Sequence, residues 1–390
     1  MIYLDNNATT KLAPEVREAI LPWLDDSYGN PSAGYRLGKA SRKAIEEARE
    51  KVAALIGAEP QEIVFTSGGT ESNNTAIRSA LQLRPERKGF LTSSVEHSAV
   101  DEVANFFDQT GYDVTFNPVD SQGQLDLETW KAACATDELA IASLIWANNE
   151  TGVLSPLAEA AAIAAESDVY FHTDAVQAIG KVPVSVRDLP IHALSISAHK
   201  LHGPKGIGAL YLNRHARFET QALGGGQENE RRSGTENVPG IVGFGVAAEL
   251  ALANLEKMSA IATMRDTFEK ALIEAVEGVE INGALDSRLP NTSNLYFPGV
   301  DGEGLLILLD EAGICCSPGS ACSTGAVKPS RIIKAMGHSP ARARSSVRFS
   351  FSRLNHEDEI APAVEAVRAA VSKLRVVMPS GGSRVVGGPR

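Results

Sequence analysis

Two lysines, two histidines and a cluster of turn-forming residues stand together in Ser197-Ala198-His199-Lys200-Leu201-His202-Gly203-Pro204-Lys205-Gly206-Ile207-Gly208. An apolar run over residues 191–196 leads into this stretch as a short buried strand, and a second run, 207–212, leads out of it. A lysine off the end of a strand, flanked by Ser and His, suits a Schiff base with a carbonyl cofactor. The imine forms from the neutral amine, and partial desolvation lowers a lysine pKa toward that state. An exposed hairpin with ordinary surface lysines explains the same residues when they are taken alone. The elements around the stretch distinguish the two.

Strand patterns at 62–66, 89–92, 139–146 and 169–172 alternate with helical ones up to Leu212, which predicts an α/β fold with a mostly parallel sheet covered by helices on both faces. Ligands bind such sheets at the carboxyl ends of the strands. His97, Asn149, Asp174, Gln177 and Lys200 fall at the ends of different strands, and that convergence carries more than any single motif. The turn Ser67-Gly68-Gly69-Thr70 runs from a strand into a helix, where free N–H groups and the helix dipole favour a phosphate. Earlier in the chain, Ser41 reads as the N-cap of a helix that Gly57 terminates. A long helix is expected over 239–276, leading into a smaller α+β domain with strands at 292–297, 314–317 and 346–351. The division expected is a large domain over 12–250, a small one formed by 1–11 and 251–378, and a disordered Gly- and Ser-rich tail, 379–390.

A chain of 390 residues, 43% hydrophobic, is long enough for two domains with sizeable cores. Its net charge of -11 disfavours non-specific nucleic-acid binding. No long uninterrupted apolar run is present, so no membrane span is expected, and the N-terminus lacks the basic-then-apolar order of a secretory signal. The 4 cysteines, Cys134, Cys315, Cys316 and Cys322, do not form a disulfide framework. A reducing cytoplasm is the expected location.

Taken together, Asp174 and Lys200 fit pyridoxal phosphate, which needs a lysine for the imine and a carboxylate to keep its ring nitrogen protonated. Gly69 and Thr70 offer a phosphate cradle, and His97 an imidazole to cover the ring. Each residue alone has a plainer reading, Asp174 as an N-cap and His97 as a capping or surface histidine. The full set of motifs resembles the NifS/IscS-type cysteine desulfurases, fold-type I enzymes of the class V aminotransferase group. The likeness runs through Tyr3-Leu4-Asp5-Asn6-Asn7-Ala8-Thr9-Thr10, Gly68-Gly69-Thr70-Glu71-Ser72-Asn73, Glu96-His97, Asn148-Asn149-Glu150-Thr151-Gly152, His172-Thr173-Asp174-Ala175-Val176-Gln177, Ser197-Ala198-His199-Lys200, Arg232-Ser233-Gly234-Thr235-Glu236-Asn237 and Gly319-Ser320-Ala321-Cys322.

The resemblance implies that Lys200 forms the internal aldimine, His97 stacks on the pyridine ring, and Asp174 pairs with its nitrogen. Gln177 and Asn149 would contact the ring oxygen or orient the ring. Gly69, Thr70, Ser197 and His199 would hold the phosphate, and Thr235 would reach the phosphate of a neighbouring subunit in a homodimer. Arg348, with Asn6 and Asn30 nearby, would bind the carboxylate of L-cysteine. Cys322 would take the sulfur as a persulfide, for delivery to an acceptor protein in iron–sulfur cluster or other thio-cofactor assembly. No metal site is read firmly; Cys322 is the one candidate for a transient iron–sulfur ligand. Its small, polar neighbours point to an exposed loop, whereas Cys315 and Cys316 are expected to pack as small hydrophobes. Tyr35 stands where the family commonly has a His, and the tail does not resemble the family's scaffold-recruiting C-terminus. Another class V enzyme, such as a selenocysteine lyase or a small-substrate aminotransferase, and a partner-binding scaffold without cofactor chemistry are the competing readings. Cys322 argues against an aminotransferase, and the joint presence of Lys200, Asp174 and His97 against a scaffold.

Overall fold

In the computed structural model, which describes residues 1–318 and 329–377, the site is positioned by a seven-stranded sheet. Cys322, with its surrounding Gly-Ser-Ala-Cys element, and the tail 379–390 lie outside the described residues. The chain opens with β1 (Ile2–Tyr3), α1 (Pro14–Leu24) and α2 (Arg36–Ile56). The second helix buries Ile45, Ala48, Val52 and Ile56 along one face and ends at Gly57, whose φ of 69° lets its N–H reach back to the carbonyls of Ala53 and Ala54. It begins at Arg36 and not at the expected cap. Ser41 lies inside the helix because its hydroxyl donates to Gly29 O (2.7 Å) and back to Leu37 O (3.2 Å), binding the preceding turn down.

The sheet comprises β2 (Ile63–Thr66), β3 (Gly89–Ser93), β4 (Asp113–Asn117), β5 (Leu139–Ile145), β6 (Tyr170–Asp174), β7 (Ala193–Ser197) and β8 (Gly208–Leu212), in the order β2-β8-β7-β6-β5-β3-β4. β3 to β7 pair in parallel, and β8 runs antiparallel between β7 and β2. The strands from β5 to β8 are buried throughout because helices cover both faces: α3 (Gly69–Leu83) and α4 (Ser98–Gln109) on one, α5 (Leu127–Cys134) and α6 (Leu157–Glu166) on the other. β4, absent from the expected strands, is a half-exposed edge.

The helical run expected over 239–276 is two helices, α7 (Val238–Ala253) and α8 (Met258–Ala275), bent by 57°. No glycine or proline marks the break. Asn254 makes it, its amide donating to Leu250 O (2.7 Å) while its Oδ1 accepts from Lys257 Nζ (2.9 Å). Beyond it come β9 (Glu280–Ile281), β10 (Thr292–Tyr296), α9 (Gly302–Glu311), β11 (Ile314–Cys315), α10 (Arg331–Ala335), α11 (Pro340–Arg344), β12 (Ser346–Ser350) and α12 (Ile360–Val377). The helices α10 and α11 pack with Val95 in a small cluster of their own, and the other elements surround a separate apolar core. Phe268, Leu295, Phe297 and Phe349 are fully buried in it. β10 lies between β9 and β12, antiparallel to both, and β11 pairs in parallel with β1, so the N-terminus joins this second core. Among the described residues, no single helix is long and apolar enough to cross a membrane.

Candidate active site

The carboxyl ends of β6 and β7 open on a cavity of about 290 Å³, closed on its other side by Arg348 of β12. Lys200 follows β7 on a short 3-10 turn. Its Nζ donates to the carbonyls of Asn7 (2.5 Å) and Ala8 (2.7 Å). Burial and the Arg348 guanidinium lower its pKa to about 8, against the opposing pull of Asp5 and Asp174. The amine is therefore prepared for covalent attachment to a carbonyl.

Asp174 ends β6. Its Oδ2 accepts from Asn73 Nδ2 (2.6 Å) and its Oδ1 from the N–H of Val176 (3.0 Å), so the carboxylate is fixed in the cavity wall. His97 meets the helix and the cavity at once. It is the N-cap of α4, with Ala99 N–H donating to Nδ1 (3.1 Å), and its ring also lines the cavity. Burial lowers its pKa, so the ring is neutral with its proton on Nε2.

The turn into α3 is tight for a stated reason. Gly68 has φ 153°, and a Cβ on Gly69 would stand 2.7 Å from Val176 Cγ2. The first N–H groups of α3 have no partners within the helix, so Gly69 and Thr70 present donors to the cavity beside Ser197 and His199. The His199 ring meets Thr9 Oγ1 at 3.1 Å, and burial lowers its pKa to about 4. Asn149 Oδ1, Asn73 Oδ1 and Arg348 Nε are buried without a hydrogen-bond partner among the described residues. Unpartnered polar atoms, a carboxylate, a lysine and a helix N-terminus around one space are the donor set that pyridoxal phosphate requires.

Arg348 is 4% exposed and held on two sides, by Asp5 (Nη2 to Oδ1, 2.7 Å) and by the carbonyl of Asn149 (Nη1 to O, 2.8 Å). Ser317 donates to the other oxygen of Asp5 (2.9 Å). Three expected site residues do not meet here in the protomer. Asn6 donates to Ser350 O (2.8 Å) and turns away, Asn30 is an exposed turn residue whose Oδ1 accepts from Ser32 N–H (2.9 Å), and Thr235 is exposed on a separate groove with Ser67 and Glu236. Asn7 lines the cavity in place of Asn6; both lie in the turn closed by the Ala8 N–H on the Asp5 carbonyl (3.0 Å), where the Asn7 amide is tied to Thr292 Oγ1 (2.8 Å) and that of Asn6 to Ser350 O.

Asp5, Asn7 and Asn73 are site residues that residue-by-residue reading missed. Asn73 had a legible signal, lying four residues after Gly69 and hence on the same helix face. Glu96 gave none. It is fully buried behind His97, held by Ser93 Oγ (2.6 Å) and Ile145 N–H (2.9 Å), and burial raises its pKa to about 8. It is thus a neutral acid near pH 7. The Cys316 thiol is half-buried against the second core, and desolvation pushes its pKa up.

The class-V aminotransferase family matches residues 2–362. A cysteine desulfurase of Nostoc sp. is 47% identical over 380 residues, covering 97% of this chain and 95% of that protein. Among solved structures, a NifS-like protein superposes with a TM-score of 0.90 at 34% identity, covering 96% of this chain and 100% of that one. A structure described as SspA in complex with cysteine gives 0.81 at 36% identity, over 90% and 99%. With a cavity suited to pyridoxal phosphate, the family's cofactor, and relatives matched over nearly their whole length, this chain belongs to the cysteine desulfurases of the class-V aminotransferase family.

Proposed function

We propose that the protein converts L-cysteine to L-alanine and retains the sulfur as a persulfide on Cys322. The observation that carries this reading is the convergence of Lys200, Asp174, His97 and Arg348 on one cavity, in a chain that also contains the Gly319-Ser320-Ala321-Cys322 element. Bound pyridoxal phosphate supplies an electron-withdrawing ring that stabilises negative charge at the substrate α-carbon. Lys200 would anchor it covalently and would supply the amine that moves the substrate α-proton. Asp174 keeps a proton on the ring nitrogen, His97 covers the ring face, and the Gly69–Thr70 turn with Ser197 and His199 holds the phosphate. Gln177 and Asn149 would contact the ring oxygen or orient the ring.

Arg348 binds the substrate carboxylate. Asp5 and the Asn149 carbonyl hold the guanidinium in place through one N–H each of Nη2 and Nη1, which leaves the second N–H of each and the buried Nε without a partner among the described residues. Such a desolvated, charge-assisted contact is worth about 1.5–3 kcal/mol. Arg348→Ala is expected to raise the KM for cysteine roughly ten- to a hundredfold while the cofactor stays bound. An unchanged KM removes Arg348 from the substrate site.

A homodimer, in which Thr235 reaches the neighbouring subunit's phosphate site, fits the exposure of Thr235 away from its own cavity. A sulfur-acceptor protein, iron–sulfur assembly and a cytoplasmic setting complete the proposal; the small number of cysteines, with no disulfide framework, supports a reducing compartment. Among the described residues, no His, Cys, Asp and Glu cluster is arranged to hold a metal ion. The test is stoichiometric. Incubation with L-cysteine alone should yield alanine and one protein-bound sulfane sulfur per first turnover. Alanine from L-selenocysteine but not from L-cysteine indicates the selenocysteine lyase reading, and turnover only with an added keto acid indicates the aminotransferase reading.

A further inference from the structure

Lys181 is buried behind Gln177, one turn on from it, and only 7% exposed. Among the described residues it pairs with no carboxylate. Its Nζ donates instead to two side-chain amide oxygens, Gln177 Oε1 at 2.6 Å and Asn7 Oδ1 at 3.1 Å. Burial, with Lys200 and Arg348 nearby, lowers its pKa well below that of a free lysine. The geometry does not depend on its charge, because ammonium and amine both donate an N–H. An amide side chain has a donor end and an acceptor end of nearly equal shape, so its neighbours decide which end faces where. Asn7 is oriented twice over, since Asn291 Nδ2 also donates to its Oδ1 (3.0 Å). For Gln177, Lys181 is the one side-chain donor to Oε1 among the described residues. With Oε1 directed at Lys181, Nε2 faces the cavity side, where it donates to the Asn7 carbonyl (2.9 Å), the acceptor that also holds Lys200 Nζ.

We infer that Lys181 is a positioning residue that fixes the Gln177 amide with its N–H end toward the bound cofactor's ring oxygen. The inference rests on the cofactor reading above. An N–H donated to the ring oxygen stabilises its anionic form. Loss of that donor, or its replacement by Oε1, makes the Lys200–cofactor linkage hold its proton to higher pH.

The experiment is a spectral pH titration of the holoprotein, in wild type, Lys181→Met, Gln177→Leu and the double variant, with cofactor dissociation measured alongside. The titratable and charged groups around Lys181 and Lys200, namely Arg348, Asp5, Asp174, His199 and His202, are left intact. Lys181→Met is expected to raise the spectral midpoint by about one pH unit and to loosen the cofactor about tenfold. In the Gln177→Leu background the same substitution is expected to move the midpoint by less than about a quarter of that amount, because the amide through which it acts is gone. Equal shifts in both backgrounds mean that Lys181 acts by its own charge and overturn the inference, as does an unmoved midpoint in Lys181→Met alone. If Lys181→Met does not fold, Lys181→Gln carries the test: its amide still donates, and a midpoint displaced upward there overturns the inference. Failure of the cofactor reading is distinct, since no variant, wild type included, would then show a visible band.

Discussion

Lys200→Ala is expected to abolish covalent capture of pyridoxal phosphate and to lower cysteine turnover by at least about a hundredfold, the range for removing a positioned proton-transfer group. The reason lies in the protonation state of the amine. A free lysine, with a pKa near 10.4, is neutral in roughly one molecule in 250 at pH 8. In this site burial and Arg348 lower the value to about 8, so half of the molecules carry the reactive amine at that pH. The sign follows directly. The neutral form is populated above the pKa, so a lowered pKa brings it into the physiological range, and apoprotein should capture the cofactor faster as pH rises, levelling off above about 8. Borohydride reduction followed by peptide mass mapping reads the attachment point. A rate that is flat from pH 7 to 9, or a reduced cofactor still attached in Lys200→Ala, excludes this role for Lys200.

Which parts of this site were legible in the sequence follows from which physical rule placed them. Lys200, Asp174, His97 and the Gly69–Thr70 turn stand at strand ends, and an alternating α/β pattern dictates that strand ends converge. Residues that act sideways were not legible. Asp5 restrains Arg348 from 343 positions away, and no local pattern marks Lys181 or Glu96 as a charge that the fold buries. Asn6 and Asn7 are adjacent and chemically alike, and only the turn that contains them, with its contacts to Ser350 and Thr292, decides which one faces the cavity. The errors in the elements have the same origin. The break between α7 and α8 is made by the amide of Asn254, not by a glycine or proline, and the helix containing Ser41 starts earlier because that hydroxyl bonds back to Leu37 and Gly29. β4 was missed because it is a short edge strand whose alternation is only half-buried.

The largest effect is expected at Cys322. The described cysteines are poor candidates for the acceptor. Burial pushes the Cys134 thiol up to about 12, the Cys316 thiol is pushed up for the same reason, and Cys315 is raised by burial and by Asp310 and Asp5. A sulfur acceptor must attack as thiolate, and each of these groups resists that state. Cys322 stands in the sequence among the small or polar residues Gly319, Ser320, Ala321, Ser323, Thr324 and Gly325, with no apolar neighbour that would bury it as Cys134 is buried. The step balances without an outside oxidant. The Cys322 thiolate attacks the substrate sulfur, the carbon–sulfur bond breaks with its electrons left on carbon, and a proton delivered there completes alanine. The departing sulfur remains on Cys322 as a persulfide. Oxygen is a poor acceptor for sulfur, so Cys322→Ser should bind the cofactor and cysteine as the wild type does, yet lose alanine formation by about a thousandfold or more, a loss comparable to removing the nucleophile of other covalent enzymes. Cys315→Ser and Cys316→Ser should each keep most of the activity. Mass spectrometry after one turnover should find one added sulfur on the peptide containing Cys322. Undiminished alanine production by Cys322→Ser, with no persulfide on the wild type, would transfer this cavity to a class V enzyme of different chemistry.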